Sequence, residues 1–418
     1  MKILHVCPLY HPSVGGNQIH VQKISERLCA LGHEVHVFTS NASDRSQFCR
    51  RYEPDELLPA HEVINGVRVR RFPVCHRRRE WLTEKLYRVR GGTRFLRLVT
   101  GEAEGYWKNG PLTLGLEETA GRLRPDLMLA VMDNSFTAYQ CFRAKQKYGI
   151  PFAFMPITHL ADEGQHHAFL PAIYAAADLL IACTDFEKQQ LIKKGVNESK
   201  ILVIPLGLEP DLLAGYDARR ARRKFGISDR PTVAYIGRQD RHKGVDTLVD
   251  AMKIIWRSRP DAQLLLAGKS AKSFQGEIDD KLGGLGPEER KSLINIGPFD
   301  FDDKKDLYAA ADVVVMASNI DCFGLVYLEA WACGRPVIAC RNTPQETIID
   351  EGQNGLLVEY GNAADLARKI EALLADRRAR AAMGEAGRRK FLKEYNLDHY
   401  GKRMEDVYRK LLEKAARP

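Results

Sequence analysis

Residues 321–337 read DCFGLVYLEAWACGRPV. A carboxylate, Asp321, precedes a helix opening at Phe323-Gly324-Leu325, and a second, Glu329, follows eight residues on. Gly334-Arg335-Pro336 ends the helix and leads into an apolar strand, 337–339. A helix start presents unpaired amides and a partial positive charge, so Phe323, Gly324 and Leu325 suit a diphosphate. Glu329, a turn and a half inside, reaches past it toward ribose hydroxyls. The alternative is a buried amphipathic helix with a stray acid, which among these apolar neighbours leaves a costly unpaired charge.

Outward from this stretch, short apolar runs alternate with longer amphipathic ones, the pattern of βα units on a parallel sheet. Residues 232–237, 263–267, 292–296, 312–316, 336–339 and 355–358 read as one series of strands. An earlier series comprises 1–6, 34–39, 127–131, 152–156 and 179–183. Between its first two members, Ile19, Ile24, Leu28 and Leu31 recur at helical spacing up to Gly32. Pro205, Gly207 and Pro210 punctuate 201–213 before the charged helix 217–225, which places a domain boundary there. The expected architecture is α/β: two doubly wound domains, then a helical stretch, 379–416, with a turn at Asn396-Leu397-Asp398.

The 418 residues, 44% hydrophobic and 28% charged, suit two domains with separate cores and exclude a disordered chain, a collagen or a mini-protein. The best apolar runs, 127–132 and 313–317, are far shorter than the roughly 20 residues of a bilayer-spanning helix. Met1-Lys2 runs directly into an apolar strand without a cleavage-site pattern, so the expected location is cytoplasmic. Nine scattered cysteines with no CxxC pair read as buried reduced thiols. The formal net charge is +9, and 68–97 alone holds eleven basic residues against two acidic ones. That one segment carries the whole surplus; the remainder is charge-balanced.

Residues 235–250, YIGRQDRHKGVDTLVD, set Arg238 and Lys243 on a loop between a strand end and a helix, where open α/β sheets bind ligands. Arg238 as a planar fork and Lys243 as a point charge suit two phosphate groups, although such a loop is as often a solvated turn. Gly15-Gly16 precede the first helix and permit close approach of a ligand without forming a GxGxxG. His159 follows the strand that ends at Pro156; a lone histidine is more often structural.

Together these elements resemble the group 1 retaining glycosyltransferases. The family's GR…KG element is similar to GRQDRHKG at 237–244, and its E-x7-E element to DCFGLVYLEAWACGRPVIA at 321–339. The likeness extends, in the family's order, to Gly15-Gly16, His159, ILVIPLGLEPD at 201–211, INIGPFD at 294–300 and QNGLLV at 353–358. It implies the GT-B fold: a Rossmann-like acceptor-binding domain over 1–205 and a Rossmann-like nucleotide-sugar-binding domain over 206–390 facing a cleft. A C-terminal helix, 391–418, then packs back on the first domain. The implied roles put the donor diphosphate on Arg238, Lys243 and the amides of Phe323, Gly324 and Leu325. The ribose falls to Glu329, the base to Ile296 and Gly297, and closure over the phosphates to Gly15 and Gly16. His159 stands beside the anomeric carbon, and Asp321 faces the donor sugar.

The resemblance also implies transfer with retention of configuration, the leaving phosphate deprotonating the acceptor hydroxyl on the same face. Cations and helix amides aimed at that phosphate stabilise the charge as it develops, so no metal and no cofactor is expected. Asp300-Phe301-Asp302 formally matches the Asp-x-Asp of metal-dependent transferases, but its place before the helix 304–310 makes it a turn and helix cap. Two departures stand out: Asp321 where most members carry Glu, and Cys322 in place of Gly. They leave the donor open, with UDP-hexose or UDP-N-acetylhexosamine first and GDP-mannose second.

Within 68–97, Leu82, Leu86, Val89 and Leu96 fall near one helical stripe bordered by Trp81 and Phe95. Arg77, Arg78, Arg79, Arg88 and Arg90 flank it, a composition that suits an anionic membrane surface or, more plainly, a solvated face. Nucleic acid is not expected, because the aromatics are not interleaved as stacking platforms. The expectation is thus a monomeric or weakly dimeric hexosyltransferase, peripheral on the inner membrane face, acting on a glycan or lipid-linked acceptor in polysaccharide biosynthesis. A nucleotide-sugar 2-epimerase of the same fold and a non-catalytic basic binding protein are the alternatives.

Overall fold

A computed structural model of the chain describes residues 1–13, 15–48, 57–74, 110–133, 135–158 and 169–415. It divides into two compact units, 1–205 together with 400–418, and 206–399. Both are built on largely parallel sheets, and most of their central strands are short, buried apolar runs.

Unit 1 contains β1 (Lys2–Val6), β2 (Glu34–Ser40), β3 (His61–Ile64), β4 (Val67–Phe72), β5 (Leu127–Val131), β6 (Phe152–Met155), β7 (Leu179–Ala182) and β8 (Ile201–Val203). The sheet order is β3-β4-β2-β1-β5-β6-β7-β8, with only β3 antiparallel to its neighbour. Its helices are α1 (Gly16–Ala30), α2 (Leu116–Leu123), α3 (Phe136–Tyr148), α4 (Leu170–Ala176) and α5 (Asp185–Lys193).

The sequence reading misses β3, β4 and β8. β3 and β4 form a hairpin whose turn, Asn65-Gly66, has both residues at positive φ, 49° and 86°. Asn-Gly is the strongest short hairpin signal, here hidden because Arg68, Arg70 and Arg71 read as the start of a basic surface. They are strand residues instead. Arg68 pairs with Glu34, and the Arg70 guanidinium lies 5.2 Å from the centre of the Phe72 ring. Arg71 is buried and donates to Glu62 Oε2 at 2.7 Å and to the His11 carbonyl at 2.7 Å. Two of the eleven cations, Arg68 and Arg71, therefore tie β4 to its neighbours, while Arg77, Arg78, Arg79, Trp81, Arg88 and Arg90 lie outside the described residues.

Unit 2 contains β9 (Thr232–Ile236), β10 (Gln263–Ala267), β11 (Leu293–Gly297), β12 (Val313–Val315), β13 (Val337–Cys340) and β14 (Gly355–Val358), ordered β11-β10-β9-β12-β13-β14 and all parallel. Its helices are α6 (Ala218–Phe225), α7 (Val245–Ser258), α8 (Gln275–Gly283), α9 (Pro287–Lys291), α10 (Lys304–Ala310), α11 (Leu325–Ala332), α12 (Ala363–Ala375) and α13 (Arg377–Glu394). The sheet order reverses between β9 and β12, the position at which doubly wound sheets open a crevice beyond the strands' carboxyl ends.

α13 lies close on α11 because glycine stands at both contacts. A Cβ on Gly387 would come within 2.2 Å of the Trp331 ring, and one on Gly384 within 2.0 Å of the Gly334 carbonyl. Trp331 is fully buried and donates to the Asn354 carbonyl at 2.9 Å. The start of a returning helix at 391 needs correction: Phe391 is buried within α13, and the chain breaks only at Tyr395-Asn396. There Leu208 and Asn396 bridge, with Leu208 donating to the Tyr395 carbonyl at 2.9 Å.

The last helix, α14 (Leu397–Ala415), belongs to unit 1 from Tyr400 onward. Two buried histidines receive it. Tyr400 Oη lies 3.1 Å from His20 Nε2, and Tyr408 Oη lies 3.1 Å from His5 Nε2. Ser25 Oγ donates to the Val21 carbonyl at 2.6 Å, so it accepts from His5 Nδ1 at 2.8 Å, which leaves Nε2 to accept from Tyr408. Burial pushes His5 down to about 3 and His20 down to about 4, matching this neutral tautomer.

Of the described cysteines, Cys7, Cys141, Cys183, Cys322, Cys333 and Cys340 are buried and Cys29 is half-buried. No helix among the described residues is long and apolar enough to cross a membrane.

Candidate active site

The residues singled out in unit 2 gather at the carboxyl ends of the strands. After β9 the chain forms a loop, a single 3-10 turn Arg241–Lys243, and then α7. After β12 it runs through Asp321 to α11. These two loops flank the point where sheet order reverses, and they touch. Asn319 N donates to the His242 carbonyl at 3.1 Å. Gly244, at φ 70°, lies so near Ala317 that a Cβ would fall 2.2 Å from its carbonyl oxygen, so only glycine fits.

The close approach sets Lys243 against Asp321, and the two form an ion pair with both side chains mostly buried. Arg238 is exposed and lies 3.2 Å from Asp240. Its loop is held by a buried glutamine that sequence reasoning passed over. Gln239 Nε2 donates to the Gly268 carbonyl at 3.1 Å, and its Oε1 accepts from Ser270 Oγ at 3.0 Å. Tyr235 Oη donates to the Arg238 carbonyl at 2.5 Å.

On the other side, α11 opens at Leu325 rather than Phe323, because Gly324 caps it in the left-handed region at φ 89°. Phe323 is buried with its ring 5.9 Å from that of Tyr395. Gln345 Nε2 donates to the Asp321 carbonyl at 3.3 Å and to the Phe323 carbonyl at 3.2 Å, and Tyr327 Oη donates to the Met316 carbonyl at 2.6 Å. These contacts hold the loop so that the first α11 amides face away from the helix body, where an anion is stabilised. Ile296 and Gly297 end β11, both half-buried, with Gly297 at φ 62°.

Glu329 is 5% exposed and is not an unpaired acid. Lys304 Nζ lies 2.5 Å from its Oε1, and Tyr308 Oη donates to its Oε2 at 2.6 Å. Burial raises the Tyr308 hydroxyl well above its ordinary range, which keeps it a neutral donor. Lys304 and Tyr308 stand one turn apart on α10, and neither was singled out from the sequence; their i,i+4 spacing facing a buried acid was the available signal. Asp300 of the Asp-x-Asp stretch lies 3.7 Å from Lys224 and the following Asp303 2.7 Å from it, and the side chain of neither caps the helix that follows it. No cluster suited to a metal ion occurs among the described residues.

In unit 1, Gly15 and Gly16 open α1 directly after the β1 loop. His159 lies outside the described residues. The chain leading to it is tightly held. Ile157 adopts φ 48°, a strained conformation for a β-branched residue, and Thr158 N donates to Glu187 Oε1 at 2.9 Å. Cys183 N donates to Glu187 Oε2 at 2.7 Å. Glu187 is fully enclosed, and burial pushes it up to about 7 despite these two bonds.

Two units built on parallel sheets, the second with carboxylates and cations at its switch point, have the GT-B fold. The family model described as glycosyl transferases group 1 matches residues 217–390, and that described as glycosyl transferase 4-like domain matches 15–207. The chain belongs to the group 1 glycosyltransferases. D-inositol 3-phosphate glycosyltransferase of Pseudarthrobacter chlorophenolicus is 28% identical over 394 residues, covering 92% of this chain and 88% of its own. Sucrose-phosphate synthase from Thermosynechococcus elongatus superposes with a TM-score of 0.75 at 23% identity, covering 99% of both chains. The Anabaena protein HepE, solved in complex with UDP and glucose, superposes with a TM-score of 0.73 at 18% identity, covering 97% of this chain and 99% of its own. These superpositions establish the fold.

Proposed function

We propose that this protein is a retaining, metal-independent glycosyltransferase that moves a hexose or N-acetylhexosamine from a nucleotide sugar to a glycan or lipid-linked acceptor. A UDP-sugar is the first choice of donor and GDP-mannose the second. One observation carries the reading: the loops after β9 and β12 bring Lys243, Asp321 and the α11 amino end to the switch point, with Glu329 one turn into the same helix. Arg238 and Lys243 neutralise the diphosphate as it departs, and the amides at Gly324 and Leu325 add partial positive charge. Glu329 takes the ribose, and Ile296 and Gly297 lie along the base.

The donor choice is supported by the solved complexes of HepE with UDP and with UDP-glucose. Unit 1 binds the acceptor, and His159 serves the anomeric centre. The basic segment from Arg77 to Arg90 attaches the protein to an anionic membrane surface at the cytosolic face.

The first test is calorimetric titration with a panel of nucleotide sugars. Saturable binding of one of them supports the reading, and binding of none refutes it. Retention is read from the anomeric configuration of the product by NMR, and metal independence from unchanged turnover in a chelator. Epimer formation without an acceptor would instead establish a 2-epimerase. Deleting the charges of Arg77, Arg78 and Arg79 should lower binding to anionic liposomes, more so at low salt.

A further inference from the structure

Glu329 has a donor on each oxygen, Lys304 on Oε1 and the Tyr308 hydroxyl on Oε2. A carboxylate offers about four lone-pair sites. One acceptor site therefore remains on each oxygen, side by side, and a vicinal diol matches two adjacent acceptors with its two hydroxyls. Tyr308 is fully buried and stands rigid. The Lys304 side chain is 20% exposed against 6% for that of Glu329, and its ammonium also lies 5.8 Å from the centre of the Phe301 ring. Lys304 thus reaches from the rim of the site down to the carboxylate.

We propose that Lys304 is a positioning residue for the nucleotide ribose, acting through Glu329 by holding its carboxylate oriented toward the 2′ and 3′ hydroxyls. The inference rests on the donor-site reading above. Without the ammonium, Oε1 loses its charge-assisted hydrogen bond and the carboxylate is held on Oε2 alone, free to turn its remaining acceptors away from a diol. Tyr308 cannot substitute, because it supplies a hydrogen bond and no counter-charge. Recognition of ribose then depends on a side chain that does not touch it.

The test compares ribonucleotide with 2′-deoxyribonucleotide. Wild type and Lys304→Met are titrated with UDP and 2′-deoxy-UDP, and in parallel with GDP and 2′-deoxy-GDP. Wild type should favour the ribonucleotide by about tenfold or more, the worth of one hydrogen bond to a charged group. Lys304→Met should bind UDP or GDP about tenfold more weakly and show a preference near one. Lys304→Arg, which restores a cation, should recover much of the preference. A merely structural lysine would lower the melting temperature and leave the preference intact, so a wild-type ratio in Lys304→Met overturns the inference. Lys304→Gln, neutral and polar at a partly exposed position, makes the same measurement should the methionine variant not fold. Wild type that binds a nucleotide without 2′ preference overturns the inference alone, whereas wild type that binds none of the four overturns the donor site itself.

Discussion

Glu329 and Glu187 are both buried glutamates near the start of a helix that follows a strand, yet they are held in opposite ways. Glu329 meets an ammonium and a tyrosine hydroxyl. Glu187 accepts from the backbone amides of Thr158 and Cys183, and burial pushes it up to about 7. The contrast extends to the units around them. Unit 2 sets Asp321 against Lys243 at the loop ends, whereas unit 1 encloses His5 and His20 among tyrosines and a serine and forces them neutral. A charge inside a protein persists where a counter-charge is near, and otherwise the group gives up its charge. Paired charges at a rim can exchange partners with an anionic, hydroxyl-bearing ligand; groups neutralised in a core serve the fold.

The sharpest way to test this contrast is acid. His5 and His20 titrate far lower in the folded chain than their ordinary 6.5. Their contribution is fully present above pH 6.5 and is lost as pH falls toward 4 and then 3. The pair should cost about 3 kcal/mol per pH unit in that window. Urea unfolding between pH 7 and 4 measures the slope, and a double His5→Gln, His20→Gln variant should flatten it. Next in size, Lys243→Ala and Glu329→Ala should each lower turnover by about 10²–10³-fold with the circular dichroism of wild type. Wild-type rates in both would break the assignment of the charged unit as the donor site.

Glu187 should show the opposite pH sign. Its folded value, about 7, lies above the ordinary 4.5, so its contribution is present below pH 4.5 and lost as pH rises through 7. Across that window the loss is about 3 kcal/mol, read by denaturant midpoints from pH 4.5 to 8. Glu187→Gln should remove the dependence. The smallest expected effect is that of Asp321→Glu, which restores the longer carboxylate beside Lys243. Competition between UDP-hexoses should show a shift in relative kcat/KM of about tenfold or less.

The strands of unit 2 were legible because a fully buried parallel strand is an unbroken apolar run, as in Val313–Val315. β3 and β4 were not read, since their charged edge residues Arg68 and Arg70 hid the alternation that Val67 and Val69 carry. Lys243, Asp321 and Glu329 were picked out by spacing from the ends of strands and helices. Gln345, Lys304 and Tyr308, which hold those groups in place, sit in other segments, with the i,i+4 spacing of the last two as the one local sign, and Gln239, beside Arg238, carries no charge to mark it.

Order along the chain was enough to establish two α/β units and to point to the acids and cations of the donor site, because hydrophobic period and helix boundaries are local properties of a sequence. Which acid meets which cation is different in kind. Glu329 finds Lys304 twenty-five residues away, and Lys243 finds Asp321 seventy-eight away. Those distances collapse only when the sheet is assembled in its order, and a carboxylate's partner is set by proximity in space.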